Sequence, residues 1–128
     1  MIVLDTHAWV WSVSDPQKLG AAATRAIRSA TAVGVPAVCC WELAMLISKG
    51  RVSVDRSPLE WMAQALARPR VELLPLTPAV AVQSTQLGHA FQGDPADRLI
   101  VATAILQGAP LVTRDARIRD YPAVQAVW

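Results

Sequence analysis

Short apolar runs, rich in branched side chains, alternate along this chain with longer segments of helical pattern. The runs that predict strands cover residues 2–4, 34–38, 71–74 and 111–113, with 124–127 as a candidate fifth. Strands that alternate with helices are joined by right-handed crossovers and form a parallel sheet. Because the runs are apolar throughout, both faces of that sheet should be covered. We therefore predict an α/β fold with a short parallel central sheet of roughly four to five strands, flanked by helices on both faces.

The segments between the runs carry helix signals at their ends. Gly50 and Gly108 stand where helices commonly stop, and Pro58 and Pro95 suit a first helical turn. Asp94, directly before Pro95, is a favourable N-cap. The predicted helices cover residues 8–13, 20–30, 41–49, 58–67, 78–87 and 95–107.

The composition excludes several classes of protein. Hydrophobic residues make up 53% of the 128 residues and charged residues 17%, which argues against disorder. Residues 1–128 show no repeat or linker, so we predict one domain. No apolar run reaches the roughly 20 residues that span a bilayer, and the first residues lack a basic segment typical of a signal peptide. We therefore expect a cytoplasmic protein without a membrane association.

The two cysteines, Cys39 and Cys40, are adjacent in the sequence. Neighbouring cysteines rarely satisfy disulfide geometry, and two sulfurs without a second pair do not make a zinc site. We interpret both as small apolar residues beside a core strand. The net charge of +2 is compatible with nucleic acid but does not identify it.

Four of the ten acidic residues lie in apolar surroundings, where an unpaired charge is costly. Asp5 follows the first predicted strand, and Asp115 follows the fourth by two residues. Glu42 and Asp97 are predicted in the first turns of their helices. Because the carboxyl ends of parallel strands meet at one edge of a sheet, these four side chains should converge on one cleft.

Carboxylates held so close together repel one another unless a cation lies between them. Oxygen ligands suit Mg²⁺ or Mn²⁺, and such ions activate water for the hydrolysis of phosphodiesters. Several arginines fall close to the acidic positions in the sequence, namely Arg98, Arg114, Arg117 and Arg119. The residues alone therefore favour a metal-dependent enzyme that acts on a phosphodiester.

Four motifs in this order resemble those of PIN-domain ribonucleases, specifically the VapC-like toxins of bacterial toxin–antitoxin pairs. They are residues 2–8 (IVLDTHA), 41–44 (WELA), 94–104 (DPADRLIVATA) and 111–115 (LVTRD). The tail at 121–124 (YPAV), closing on Trp128, is similar to that of one VapC-like subgroup. The resemblance extends over the whole chain.

The resemblance implies an endoribonuclease that cleaves single-stranded RNA with Mg²⁺ or Mn²⁺. It further implies a homodimer and a cognate VapB-like antitoxin, whose C-terminal segment enters the active-site groove. By position in the motifs, Asp5, Glu42 and Asp97 become the core metal ligands, and Asp115 acts on the metal directly or through water. Thr6, Thr113 and Asp94 are the expected supporting residues beside the metal. Arg98 and Arg114 are the expected contacts to the RNA.

One position departs from the family pattern. Members often carry serine three residues before the glutamate, where this chain has Cys39. Cysteine is a poor N-cap, so the start of that helix is left open. All four carboxylates are nevertheless present, which favours an active enzyme.

Other functions fit the sequence less well. A phospho-acceptor receiver should have an acidic pair after its first strand and a lysine near its last, but the only lysines are Lys18 and Lys49. A haloacid-dehalogenase-type phosphotransferase should have a second aspartate at position 7, which is His7. A catalytically silent PIN module that binds RNA or a partner protein is the main alternative. A relative that acts on DNA also stays open, because the preference for RNA depends on the resemblance.

Overall fold

A computed structural model describes all of residues 1–128. Its centre is a five-stranded sheet in the order β3-β2-β1-β4-β5, with every neighbouring pair parallel. The strands are β1 (Ile2–Leu4), β2 (Val33–Pro36), β3 (Val71–Leu74), β4 (Leu111–Val112) and β5 (Ala126–Val127). The α/β fold and the parallel sheet are confirmed, and the candidate fifth strand is present.

Seven α-helices connect and cover the strands. They are α1 (Thr6–Ser14), α2 (Ala21–Ser29), α3 (Ala37–Ser48), α4 (Pro58–Leu66), α5 (Pro78–Ser84), α6 (Pro95–Gln107) and α7 (Ala116–Arg119). A short 3-10 helix at Pro16–Lys18 follows α1. None of these helices combines the length and apolar character that crossing a bilayer requires.

The core lies on both sides of the two central strands. All three residues of β1 and both residues of β4 are buried. Trp9 of α1 is only 1% exposed and packs edge-on against Trp61 of α4, with ring centroids 5.2 Å apart. The Trp9 ring therefore belongs to the core. The rigid centre fixes where the ends of β1 and β4 emerge.

Helix α3 begins four residues earlier than predicted, and β2 is correspondingly shorter. The strand ends at Pro36, and Cys39 and Leu43, one helical turn apart, are both fully buried against the core. Burial of this pair on one helix face favours helix from Ala37 onward. Glu42 therefore lies in the second turn of α3, so its predicted place in the first turn was wrong.

Two short helices were not predicted, and α5 ends sooner than expected. The missed elements are the 3-10 helix and α7, which has four residues. Helix α5 ends at Ser84, where the hydroxyls of Ser84 and Thr85 donate to the carbonyls of Ala81 and Val82. Such local bonds compete with the helical ladder and allow the chain to leave the helix.

Candidate active site

Asp5 is placed by the end of the central strand. Its backbone amide donates to the Val112 carbonyl of β4 at 3.1 Å, and its carboxylate caps α1 by accepting from the Ala8 amide at 2.9 Å. Burial raises the pKa of Asp5, although the Thr113 hydroxyl and the Ala8 amide oppose that rise. A carboxylate in so poorly solvated a position gains from a nearby cation.

Glu42 is held by the first residue of α1. The Thr6 hydroxyl, 1% exposed, donates a hydrogen bond to Glu42 Oε1. Below this contact, Cys39 packs against the end of β1, with its sulfur 3.8 Å from the Leu4 carbonyl oxygen. Cys39 therefore faces the core, and the start of α3 does not depend on it as a cap.

Asp94 and Asp97 stand at the beginning of α6 in a reciprocal capping arrangement. Asp94 Oδ1 accepts from the Asp97 amide at 2.9 Å, and Asp97 Oδ2 accepts from the Asp94 amide at 3.4 Å. Gly93 permits this entry, because a Cβ there would lie 2.8 Å from the Cβ of Asp97. Burial, followed by the charge of Asp94, raises the pKa of Asp97 to about 6.

Asp115 caps the unpredicted helix α7 and forms an ion pair with Arg117. Its Oδ1 accepts from the Arg117 amide at 2.8 Å, and its Oδ2 accepts from Arg117 Nη2 at 2.9 Å. The same Nη2 donates to Asp97 Oδ2 at 3.0 Å. The hydrogen bonds from Arg117 hold the pKa of Asp115 below its usual range. Arg117 thus links two carboxylates that come from different elements.

These elements enclose one cavity of about 320 Å³ at the carboxyl end of the sheet. The acidic residues of its lining are Asp5, Glu42, Asp94, Asp97 and Asp115. The aromatic and basic residues of its lining are His7, Trp11, Trp128, Arg114 and Arg117. The four carboxylates expected to converge therefore do so, together with Asp94.

The remaining predicted site residues lie around this cavity. Thr113 is fully buried beneath it, and its hydroxyl accepts from the Asp115 amide at 3.1 Å. Arg114 lines the cavity with its guanidinium carbon 4.8 Å from the centre of the Trp11 ring. Arg98 is not part of the lining; its Nη2 donates to the Phe91 carbonyl at 3.1 Å and so fixes the loop before α6.

The donor set fits a hard divalent cation. One oxygen each of Glu42, Asp94 and Asp97 lies within 4.8 Å of the others, and carboxylate oxygens are the ligands that Mg²⁺ and Mn²⁺ prefer. Asp5 and Asp115 border the same cavity without belonging to that closest group. The raised pKa values of Asp5 and Asp97 also indicate carboxylates that a cation would stabilise in their charged form.

Sequence reasoning did not select Arg117 as a residue of the site. Arg117 was noted only as one of several arginines near acidic positions in the sequence, and its place depends on α7, which is too short to have a detectable period. The spacing Asp115-x-Arg117 on a helix cap was the one available signal. Trp128 reaches the cavity through β5, and its ring packs edge-on against Trp11 at 5.8 Å.

Comparison with known proteins gives consistent results at the level of sequence. The family profile of the PIN domain matches residues 2–124. Ribonuclease VapC22 of Mycobacterium tuberculosis is 40% identical over 129 aligned residues, which cover 99% of this chain and 98% of that protein.

Solved structures agree at the level of the fold. VapBC2 from Rickettsia felis, bound to a DNA fragment from its promoter, superposes with a TM-score of 0.72 at 17% identity, covering 98% of this chain and 97% of the other. A toxin–antitoxin complex from Klebsiella pneumoniae gives a TM-score of 0.70 at 17% identity, with 97% and 95% covered.

Proposed function

This chain belongs to the PIN-domain family as a VapC-like member, and from that membership we propose that it is a metal-dependent endoribonuclease, the toxin of a toxin–antitoxin pair. The name of its 40% identical relative supports the cleavage of RNA. The observation that carries the proposal is the single cavity in which Asp5, Glu42, Asp97 and Asp115 meet at the carboxyl end of the sheet.

Glu42, Asp97 and Asp5 would hold Mg²⁺ or Mn²⁺, with Asp115 completing the cluster directly or through water. When bound, a divalent ion supplies an activated water and stabilises charge on the leaving oxygen of a phosphodiester. The chain's own contribution is to fix the ligands beforehand. Thr6 orients Glu42 by a hydrogen bond, and the reciprocal caps hold Asp94 and Asp97 at the start of α6.

The aromatic and basic residues of the cavity lining suit a single-stranded RNA. Arg114 is exposed, lies on the Trp11 ring and has no carboxylate partner, so its charge is available to a phosphate. The guanidinium lies over this ring within the lining of the cavity. Arg98 stays a predicted RNA contact, although its bond to Phe91 gives it a structural part as well.

A VapB-like antitoxin is the proposed regulator, with a segment that enters the same cavity. The Klebsiella pneumoniae complex is described as a toxin–antitoxin complex, and its fold similarity motivates this choice. We also propose a homodimer that acts in the cytoplasm. Trp41 on α3 supports self-association, because this large apolar side chain is 59% exposed.

The test is cleavage of an RNA panel by purified protein with Mg²⁺, Mn²⁺ or EDTA. Asp97→Asn keeps the size and position of the side chain but removes a ligand charge, so cleavage should fall by at least a hundredfold while the fold persists. Glu72→Gln, an exposed substitution on β3, is the matched control and should cleave like wild type. Cleavage by Asp97→Asn at the wild-type rate would contradict the mechanism.

Cells add a second readout for the same variants. Induction of the wild-type chain should arrest growth and induction of Asp97→Asn should not. If the wild-type protein cleaves no RNA and arrests no cells, a silent RNA-binding or partner-binding module becomes the better explanation. A measurable affinity for RNA without cleavage would support that module directly.

A further inference from the structure

Arg117 is the only basic side chain paired with the carboxylates of the cavity. Its Nη2 donates to Asp97 and Asp115 at 3.0 and 2.9 Å, and its Nε donates to Asp115 Oδ1 at 3.3 Å. The charges of these two carboxylates are therefore already compensated in part within the chain. A cation that binds beside them has to share them with the guanidinium.

The carboxylate of Asp115 is engaged mainly in hydrogen bonds, and only its Oδ2 keeps a free lone pair. Its Oδ1 accepts from the amides of Arg117 and Ile118, at 2.8 and 3.4 Å, as well as from Arg117 Nε. Its Oδ2 accepts from Arg117 Nη2. The closest oxygen group of the cavity is formed by Glu42, Asp94 and Asp97 and includes neither Asp115 nor Asp5. The hydrogen bonds that Asp115 accepts from Arg117 therefore indicate, more than these distances do, that Asp115 anchors Arg117.

We propose that Arg117 takes the place of a second metal ion. This inference rests on the proposed function. The cluster would bind one divalent ion through Glu42, Asp97 and Asp5, and the guanidinium would provide the second positive centre for the phosphate of the RNA. Arg117 lines the cavity, is half exposed, and its Nη1 has one long contact, 3.5 Å to the Gln92 carbonyl. At least one N–H of Nη1 is uncommitted and can donate to a phosphate oxygen.

The first test counts ions in the absence of RNA. Calorimetric titration with Mn²⁺ should give one ion per wild-type chain. Arg117→Ala removes a positive charge beside the ligands, so the Mn²⁺ affinity should rise by about tenfold. Arg119→Ala removes the same charge two residues further along α7, outside the cavity, and should bind Mn²⁺ like wild type.

Two results of this titration would overturn the inference. One is two ions per wild-type chain, and the other is an Mn²⁺ affinity of Arg117→Ala less than threefold above wild type. Arg117→Gln, which keeps a polar side chain without the charge, is titrated alongside in case the alanine variant does not fold, and the same threshold applies. If wild type binds no Mn²⁺, the proposed function itself fails. If it binds one ion and neither variant differs, only the present inference fails.

The second test determines whether Asp115 anchors Arg117 or binds the metal ion directly. Asp97→Asn should weaken Mn²⁺ binding by more than tenfold, because it removes a ligand charge. Asp115→Asn should weaken it by less than tenfold, since that carboxylate acts through Arg117. A loss of tenfold or more in Asp115→Asn would identify Asp115 as a direct ligand and overturn the assignment of its role.

The third test addresses the phosphate. Binding of a fluorescent single-stranded RNA oligonucleotide, with Ca²⁺ replacing Mg²⁺ to prevent cleavage, is measured over a range of salt concentrations. Loss of one phosphate contact in Arg117→Ala should reduce the slope of log affinity against log salt by about 0.7. An unchanged slope would refute the phosphate contact. Arg119→Ala again serves as the control and should keep the wild-type slope.

Discussion

Asp97 is the residue at which protonation should be coupled to the proposed metal binding. Its pKa is raised to about 6 by burial and by the charge of Asp94, so the folded chain binds this proton more tightly than the unfolded chain. Protonation of Asp97 therefore stabilises the metal-free fold as the pH falls through about 6, and that stability is lost as the pH rises. Metal binding has the opposite dependence, because it requires the ionised carboxylate.

We predict that Mn²⁺ affinity rises steeply between pH 5 and pH 7, while the metal-free protein unfolds at lower urea concentration over the same interval. Calorimetry and urea unfolding at matched pH values measure the two trends. The burial of Asp5 raises its pKa in the same direction and adds to both. Asp97→Asn should remove a large part of the pH dependence of both the Mn²⁺ affinity and the urea unfolding midpoint. Equal pH dependences in that variant and in wild type would contradict the assignment to Asp97.

Substitution of Asp94 tests whether this residue serves as a helix cap or as a metal ligand. Asparagine remains a good N-cap, so the free energy of unfolding of Asp94→Asn should stay within about 0.5 kcal/mol of the wild-type value. The variant loses one charge near the closest oxygen group, and we expect a smaller loss of cleavage than for Asp97→Asn. Thermal unfolding and single-turnover cleavage of the same preparations provide the comparison. A loss equal to that of Asp97→Asn would make Asp94 a full ligand.

At the scale of elements, the site depends on how α1 meets α3. Thr6, at the start of α1, donates to Glu42 in the second turn of α3, and both groups lie close to the core. Thr6→Val keeps the shape of the side chain but leaves a carboxylate oxygen without its donor. Hydrogen bonds to charged groups contribute about 1.5–3 kcal/mol, so the free energy of unfolding should fall by about that amount.

Urea unfolding of Thr6→Val and Thr6→Ser tests this contact. The serine variant keeps the hydroxyl, so its Mn²⁺ affinity should stay near wild type even if it loses some packing. The valine variant should bind Mn²⁺ more weakly because Glu42 is no longer oriented. If valine matched wild type in both properties, the Thr6 hydroxyl would have no part in preparing the ligand.

The elements also show where sequence reasoning succeeds and where it stops. Helix α6 was predicted with its observed bounds, because Asp94, Pro95 and Gly108 mark its ends through local chemistry. The predicted start of helix α3 was too late in the sequence. Its first turn is specified by the burial of Cys39 against β1, which is a contact between distant parts of the chain. Helix α7 was missed because four residues carry no period. The carboxylates of the site could thus be predicted, whereas Arg117, the side chain that pairs with them, could not.

At the scale of the whole molecule, the open question is association. We predict a homodimer at tens of micromolar in sedimentation equilibrium, with α3 at the interface. Trp41→Ser should shift the equilibrium towards monomer, because Trp41 presents a large exposed apolar surface on that helix. Leu59→Ser, which alters a 78% exposed side chain on α4, is the control and should leave association unchanged. A wild-type monomer without partner would contradict the prediction.

The strand order has a consequence for the timing of synthesis. The first strand to leave the ribosome, β1, occupies the middle of the sheet, and its neighbour β4 is made near the end of the chain. Asp5 is therefore synthesised several seconds before Asp115 and Arg117, because the intervening chain is translated at about 5–20 residues per second. For those seconds the nascent chain has no assembled cleft, so the proposed nuclease activity starts only after the last strands have been made. An inhibitor that recognises the finished cleft meets its target only after the last strands have paired.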